Sequence, residues 1–271
     1  MSNLTIQTKP NNNSPKFGSG FRQVETMAKN LDIGRVSAHM QKLGIENNFE
    51  GNKIVAACSA LTTNIFLKLG FKPPTGVFVT PFKKLSSDLN NALGFCMPDT
   101  SQYCAPQLEK LYGRRFNIRS VFFNSDINWN NLQKDVDLGR ATNHASTAHP
   151  LHTFLHEFVH NVHIDHIYKK FGFSKPNNLG YKSGNGEQIL ARLQGMPLVT
   201  HKQAVKTTVS DYGTKDPIEL VAENMTDLIV DSLNPYSLRP QKNPFTFSAF
   251  LNGKTVDEIF KRAWHGCLGA Y

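Results

Sequence analysis

Apolar residues fall into stretches of distinct period along this chain, and the period sets the element that each stretch predicts. From Phe21 the spacing is helical. Val24, Met27, Ala28 and Leu31 share one face, and Val36, Met40 and Leu43 share the face of a following segment. Lys53 to Leu69 predicts a long helix, ended by Gly70 and then Pro73-Pro74. Val77-Phe78-Val79 predicts a short strand, and Pro106 to Tyr112 a helix closed by Gly113. Phe116 to Phe123 alternates and is rich in β-formers, which predicts a strand. Leu138 to Ser146 reads either as an edge strand or as a loop. Proline is favoured at the first helical position, so Pro150 is expected to open a helix that runs to about Phe171 and stops at Gly172. Residues 172–186, with four glycines and Pro176, predict a loop. Beyond it lie a short helix over Glu187–Leu193, a long one over Asp216–Leu233 with Pro217 in its first turn, and a terminal one over Thr255–Trp264. No internal repeat interrupts this order.

The chain's 271 residues suit one sizeable domain over 21–271, with 21–85 as a possible helical subdomain. Residues 1–20 are polar and nearly free of large apolar side chains, the composition of a disordered tail. They lack the apolar segment of a secretory signal peptide. This predicts a cytoplasmic protein or one exported by a leaderless route. No apolar run approaches the roughly 18 residues of a membrane span. The net charge of +9 comes from scattered lysines and arginines with no nucleic-acid-binding motif among them. The charge therefore reads as solubility with weak steering toward acidic partners. Cys58, Cys96, Cys104 and Cys267 form no tight pair, which argues against a cysteine zinc site. Cys96 and Cys104 are near enough in sequence to bond, but reduced thiols are the expectation. Nothing specifies an oligomeric state.

Chemistry concentrates between residues 144 and 166, which hold seven of the ten histidines. His156-Glu157-Phe158-Val159-His160 is an HExxH motif. On a helix, residues four apart share a face, so both imidazoles can reach one zinc ion. Glu157 would lie beside the metal and take a proton from the attacking water. A histidine-rich solvent-facing helix is the plainer alternative. Two residues compete for third ligand. Glu219 follows Pro217 on a predicted helix, with Glu223 one turn on; Glu219 would bind the ion and Glu223 would accept the outer N–H of a ligand histidine, His156 first. The same carboxylates, continued by Asp227 and Asp231, also read as a solvated acidic stripe. His166 is spaced as in HExxHxxGxxH, but His163 stands where that motif needs its turning glycine. An unbroken helix would put residue 166 about 15 Å along the axis from His156. Gly195-Met196-Pro197 offers only a weak Met-turn. His152 is expected to be a neighbour rather than a ligand, His144 and His149 to lie near a substrate entrance, and His163 and His166 to lie on the helix surface.

Tyr212-Gly213, Glu219 seven residues after the tyrosine, and then Ala222-Glu223 resemble the zinc-site helix of the gluzincins. The resemblance is to the catalytic domain of anthrax lethal factor and related bacterial toxin-like metallopeptidases. It covers about Leu138 to Leu233, and departs from the family at Val159, where many relatives have glycine. It implies His156, His160 and Glu219 as zinc ligands, Glu157 as general base, Tyr212 as oxyanion donor and Glu223 behind a ligand histidine. The implied fold is an α+β zincin-like domain, a small twisted sheet packed on two zinc-site helices with further helices before it. The implied activity is zinc-dependent cleavage of a protein or peptide substrate, as a secreted effector or toxin or as a housekeeping or phage-encoded enzyme. The rival is a non-catalytic zincin-like scaffold or virion component.

Overall fold

Helices stand where the apolar spacing predicts them: α1 at Ser19–Lys29, α2 at Ile33–Lys42 and α3 at Lys53–Lys68. The structure is a computed structural model and describes residues 19–97, 104–117, 119–171, 203, 206–207, 209–215 and 217–233. Side chains cap the helix starts. Asp32 accepts the Arg35 N–H at 3.2 Å, and Asn52 accepts the Val55 N–H at 3.0 Å. The chain leaves α3 through Gly70 at φ +76°, a left-handed turn that favours glycine.

Four short strands form one sheet: β1 (Glu46–Asn48), β2 (Gly76–Thr80), β3 (Gly94–Cys96) and β4 (Ser120–Asn124). Their order is β1-β2-β4-β3. β1, β2 and β4 are parallel, and β3 runs antiparallel to β4 at the edge. Both inner strands, β2 and β4, are buried along their whole length. Successive residues serve opposite faces. Val77, Val79, Val121 and Phe123 pack into the larger core with α1, α3 and the later helices. Phe78 and Phe122 pack on the other side with Leu108 of α4 (Ala105–Tyr112), Phe82 and Phe116. The protein is thus mixed α+β.

Two expectations change here. β4 begins at Ser120 rather than Phe116, whose ring lies 4.8 Å from Phe78 and 5.2 Å from Phe122 instead of extending the strand. Leu138 to Ser146 is no edge strand. Residues up to Ala141 belong to α5 (Leu132–Ala141), held by buried Leu132 and Val136 one turn apart, and a loop follows. The edge belongs to β3, too short for its alternation to be read.

α6 spans His152–Phe171 and α7 spans Pro217–Leu233. Pro150 and Leu151 form a turn ahead of α6, and the His152 N–H bonds the His149 carbonyl at 2.8 Å. α6 packs on α7 and also meets α3, β3 and β4. Cys58, Cys96 and Cys104 are free thiols. No helix among the described residues is long and apolar enough to cross a membrane. The polar tail up to residue 18, the 172–186 loop, the helices expected at 187–193 and 255–264, the segment 195–197 and Cys267 lie outside the described residues.

Candidate metal centre

α6 is buried on every side through residues 151–161. Phe154, Leu155, Phe158 and Val159 are fully enclosed, and Phe158 meets the Phe66 ring edge-on at 5.4 Å. With these on the core faces, His156, Glu157 and His160 are turned toward a cleft while remaining 6–8% exposed.

α7 supplies the facing carboxylates. His156 Nε2 lies 3.0 Å from Glu219 Oε2 and 3.0 Å from His160 Nε2, and His160 Nε2 lies 3.3 Å from the same Glu219 oxygen. Four-coordinate zinc with bonds of about 2.0–2.1 Å would separate its ligand atoms by roughly 3.3 Å. The observed triangle is close to that size. Two imidazole nitrogens and one carboxylate oxygen this close together are a donor set that suits a metal ion, and this group could hold one. α6 continues unbroken to Phe171, so residue 166 stays about 15 Å along the axis from His156.

Behind the triangle, Glu223 Oε1 is 2.8 Å from His156 Nδ1 and 3.1 Å from His152 Nε2. Its other oxygen accepts the Ser146 N–H at 2.7 Å, and its backbone carbonyl accepts the Ser146 hydroxyl at 2.9 Å. His152, His156 and Glu223 form a second group with metal-ligand chemistry. At 2.8 Å the His156 ring and the Glu223 carboxylate are in ion-pair contact. With Nδ1 facing Glu223, Nε2 is the nitrogen that His156 turns toward the first group.

Glu157 sits against the edge strand. A Cβ added at Gly94 would stand 3.1 Å from Glu157 Cγ. Leu93 O and Met97 N bond to β4 through Asn124 N and Ser120 O. The main-chain groups of Gly94 and Cys96 therefore point away from β4, where no further strand pairs among the described residues. The Cys96 N–H hydrogen-bonds the Glu157 carboxylate.

Tyr212 lies in a single helical turn, Tyr212–Thr214, just ahead of α7. Its ring centroid is 5.8 Å from that of His156 and 4.9 Å from that of His144. Lys215 Nζ stands 3.7 Å over the ring centre. Asp211 N–H bonds the Asn143 carbonyl at 2.6 Å, which ties this turn to the loop carrying Ser146.

Burial and charge compete throughout. Burial pushes His156 down, but the hydrogen bonds and charges of Glu219 and Glu223 outweigh it and hold the imidazole well above its ordinary value. Burial pushes Glu219 up, yet His160 and His156 pull it far below the carboxylate range. Glu223 is likewise pulled down against burial, by His152 and then His156. Burial raises Glu157, with His156 and His160 opposing.

These groups open on a cleft of about 1010 Å³ between the edge-strand segment 88–96 and the α5 side. The structure brings His156, Glu157, His160, Tyr212, Glu219 and Glu223 to one place. His144 also lines the cleft, and His149 does not. His163, expected on the surface, is 1% exposed and faces the cleft, because the α6 side it occupies is covered. Sequence reasoning missed Ser146, Gly94, Cys96 and Lys215. None carries a motif; the glycine just before a Phe-Cys-Met run was the one available signal. The chain matches no family model, no curated protein and no solved structure.

Proposed function

We propose that the protein is a zinc-dependent endopeptidase of zincin-like fold. One observation carries the reading: two α6 histidines and an α7 glutamate converge at 3.0–3.3 Å, with the α6 carboxylate of Glu157 between them and the edge strand. The resemblance in Tyr212, Glu219, Ala222 and Glu223 supports it. A two-imidazole, one-carboxylate set with an open fourth position suits catalytic zinc.

Bound zinc would polarise the scissile carbonyl and acidify water. The chain's residues do the rest. An extended peptide main chain would add alongside β3, using the main-chain groups of Gly94 and the Cys96 carbonyl, since the Cys96 N–H is taken by Glu157. Glu157, as general base, takes the proton of the attacking water and passes it to the leaving amine. Tyr212 donates its hydroxyl to the oxyanion of the tetrahedral intermediate. Its ring is held for this between His144 and Lys215.

The test is a mass-spectrometric census of new protein N-termini in lysate treated with zinc-loaded wild type or Glu157→Gln. New termini with the wild type alone support the peptidase and reveal its cleavage preference. Zinc in both proteins and no difference across lysates would favour a non-catalytic scaffold.

A further inference from the structure

The carboxylate of Glu223 has more donors than a single ligand histidine needs. His156 Nδ1 and His152 Nε2 both approach Oε1, at 2.8 and 3.1 Å, while the Ser146 N–H takes Oε2 at 2.7 Å. Glu223 is 1% exposed and His152 is 8% exposed, so water does not compete for these contacts. His152 opens α6 one turn before His156, and the two rings are 5.8 Å apart. One hydrogen bond and two ion-pair contacts on two oxygens restrict the rotation of the carboxylate. Without His152, the Oε1 side would keep one partner, and Glu223 could swing away from His156 about its Ser146 anchor.

We infer that His152 is a positioning residue for the metal: it clamps Glu223, which in turn holds the His156 ring with Nε2 aimed at the ion. The inference rests on the metal-centre reading above. It also assigns the second His-His-Glu group a role as hydrogen-bonded scaffold rather than as a second metal site. His156 belongs to both groups, meeting Glu223 through Nδ1 and Glu219 through Nε2, so one ring links the scaffold to the ion.

The experiment uses the full chain and zinc alone. Zinc affinity is measured by competition with a chromophoric chelator, and stoichiometry by elemental analysis, for wild type, His152→Leu and His152→Gln. The glutamine keeps a side-chain N–H donor; leucine has none. Loss of an outer-shell partner costs about 10–100-fold in metal affinity. The expected result is one zinc per chain, at least about tenfold weaker binding for His152→Leu and substantial recovery in His152→Gln. Cobalt-substituted protein should show altered visible bands in His152→Leu, because the His156 ring direction changes; a packing role alone would lower melting temperature and leave the bands unmoved. Should His152→Leu fail to fold, His152→Ala removes the donor without added bulk and carries the same comparison. Two zinc ions per chain, or wild-type affinity and bands in a folded donor-less variant, would overturn the inference. A wild type that binds no zinc would instead overturn the metal-centre reading itself.

Discussion

A side chain at position 94 would crowd Glu157: the nearest approach is 3.1 Å to Cγ, with Phe123 Cδ1 at 3.1 Å and the Phe122 carbonyl oxygen at 3.2 Å. The backbone oxygen cannot swing aside, so the strain must fall on β3 or on Glu157. Gly94→Ala is expected to cost about 1–3 kcal/mol of stability by overpacking. It should also lower turnover at least about tenfold through misplacement of the base. Thermal melts, zinc content and kcat on one preparation check this; unchanged kcat would mean that the strand absorbs the strain.

Glu157→Gln keeps the size of the side chain but removes its basicity. Hydrolysis should fall by about 10²–10⁴-fold. Zinc should remain at one per chain, since His156, His160 and Glu219 are untouched. Glu219→Gln should instead lose zinc together with activity. Metal analysis beside a peptide-cleavage assay separates the two patterns.

Tyr212→Phe removes one hydroxyl from a ring packed against His144 and His156. Loss of an oxyanion donor costs about 10²–10³ in kcat. KM and zinc affinity should change little, which steady-state kinetics and chelator competition will report. A KM effect without a kcat effect would assign Tyr212 to substrate binding.

The metal-free protein should be most stable in a mildly acidic to neutral window. Glu219 and Glu223 are lowered in the fold, so their contribution is present above the ordinary value of 4.5 and is lost as pH falls through their depressed folded values. His156 is raised, so its contribution is complete below 6.5 and is lost as pH rises through its elevated folded value. Zinc must displace the proton from His156, and its apparent affinity should therefore rise with pH until that proton is gone. Denaturant melts across pH, and calorimetric titrations in buffers of different ionisation enthalpy, would test both slopes. Equal zinc affinity on the two sides of that titration would count against His156 as a ligand.

Much was legible from residue order alone. Lys53 to Leu69 and Asp216 to Leu233 announced α3 and α7, because long apolar periodicity with Gly or Pro at the ends is local information. The HExxH spacing placed His156 and His160 on one face for the same reason: a helix relates residues four apart whatever surrounds it. Glu219 was nominated by Pro217 and by its register with Tyr212. What no local pattern could decide is which distant segments meet. Ser146 reaches Glu223 across 77 positions, and Gly94 abuts Glu157 across the sheet edge. The carboxylates of α7 also read as a solvated acidic stripe in sequence, and Glu223 is buried because α6 and the Ser146 loop close over it. His163 looked like surface and is enclosed. The apolar period of a helix says which face is greasy, but burial of a polar side chain depends on partners brought from elsewhere in the chain. Only the folded protein supplies them.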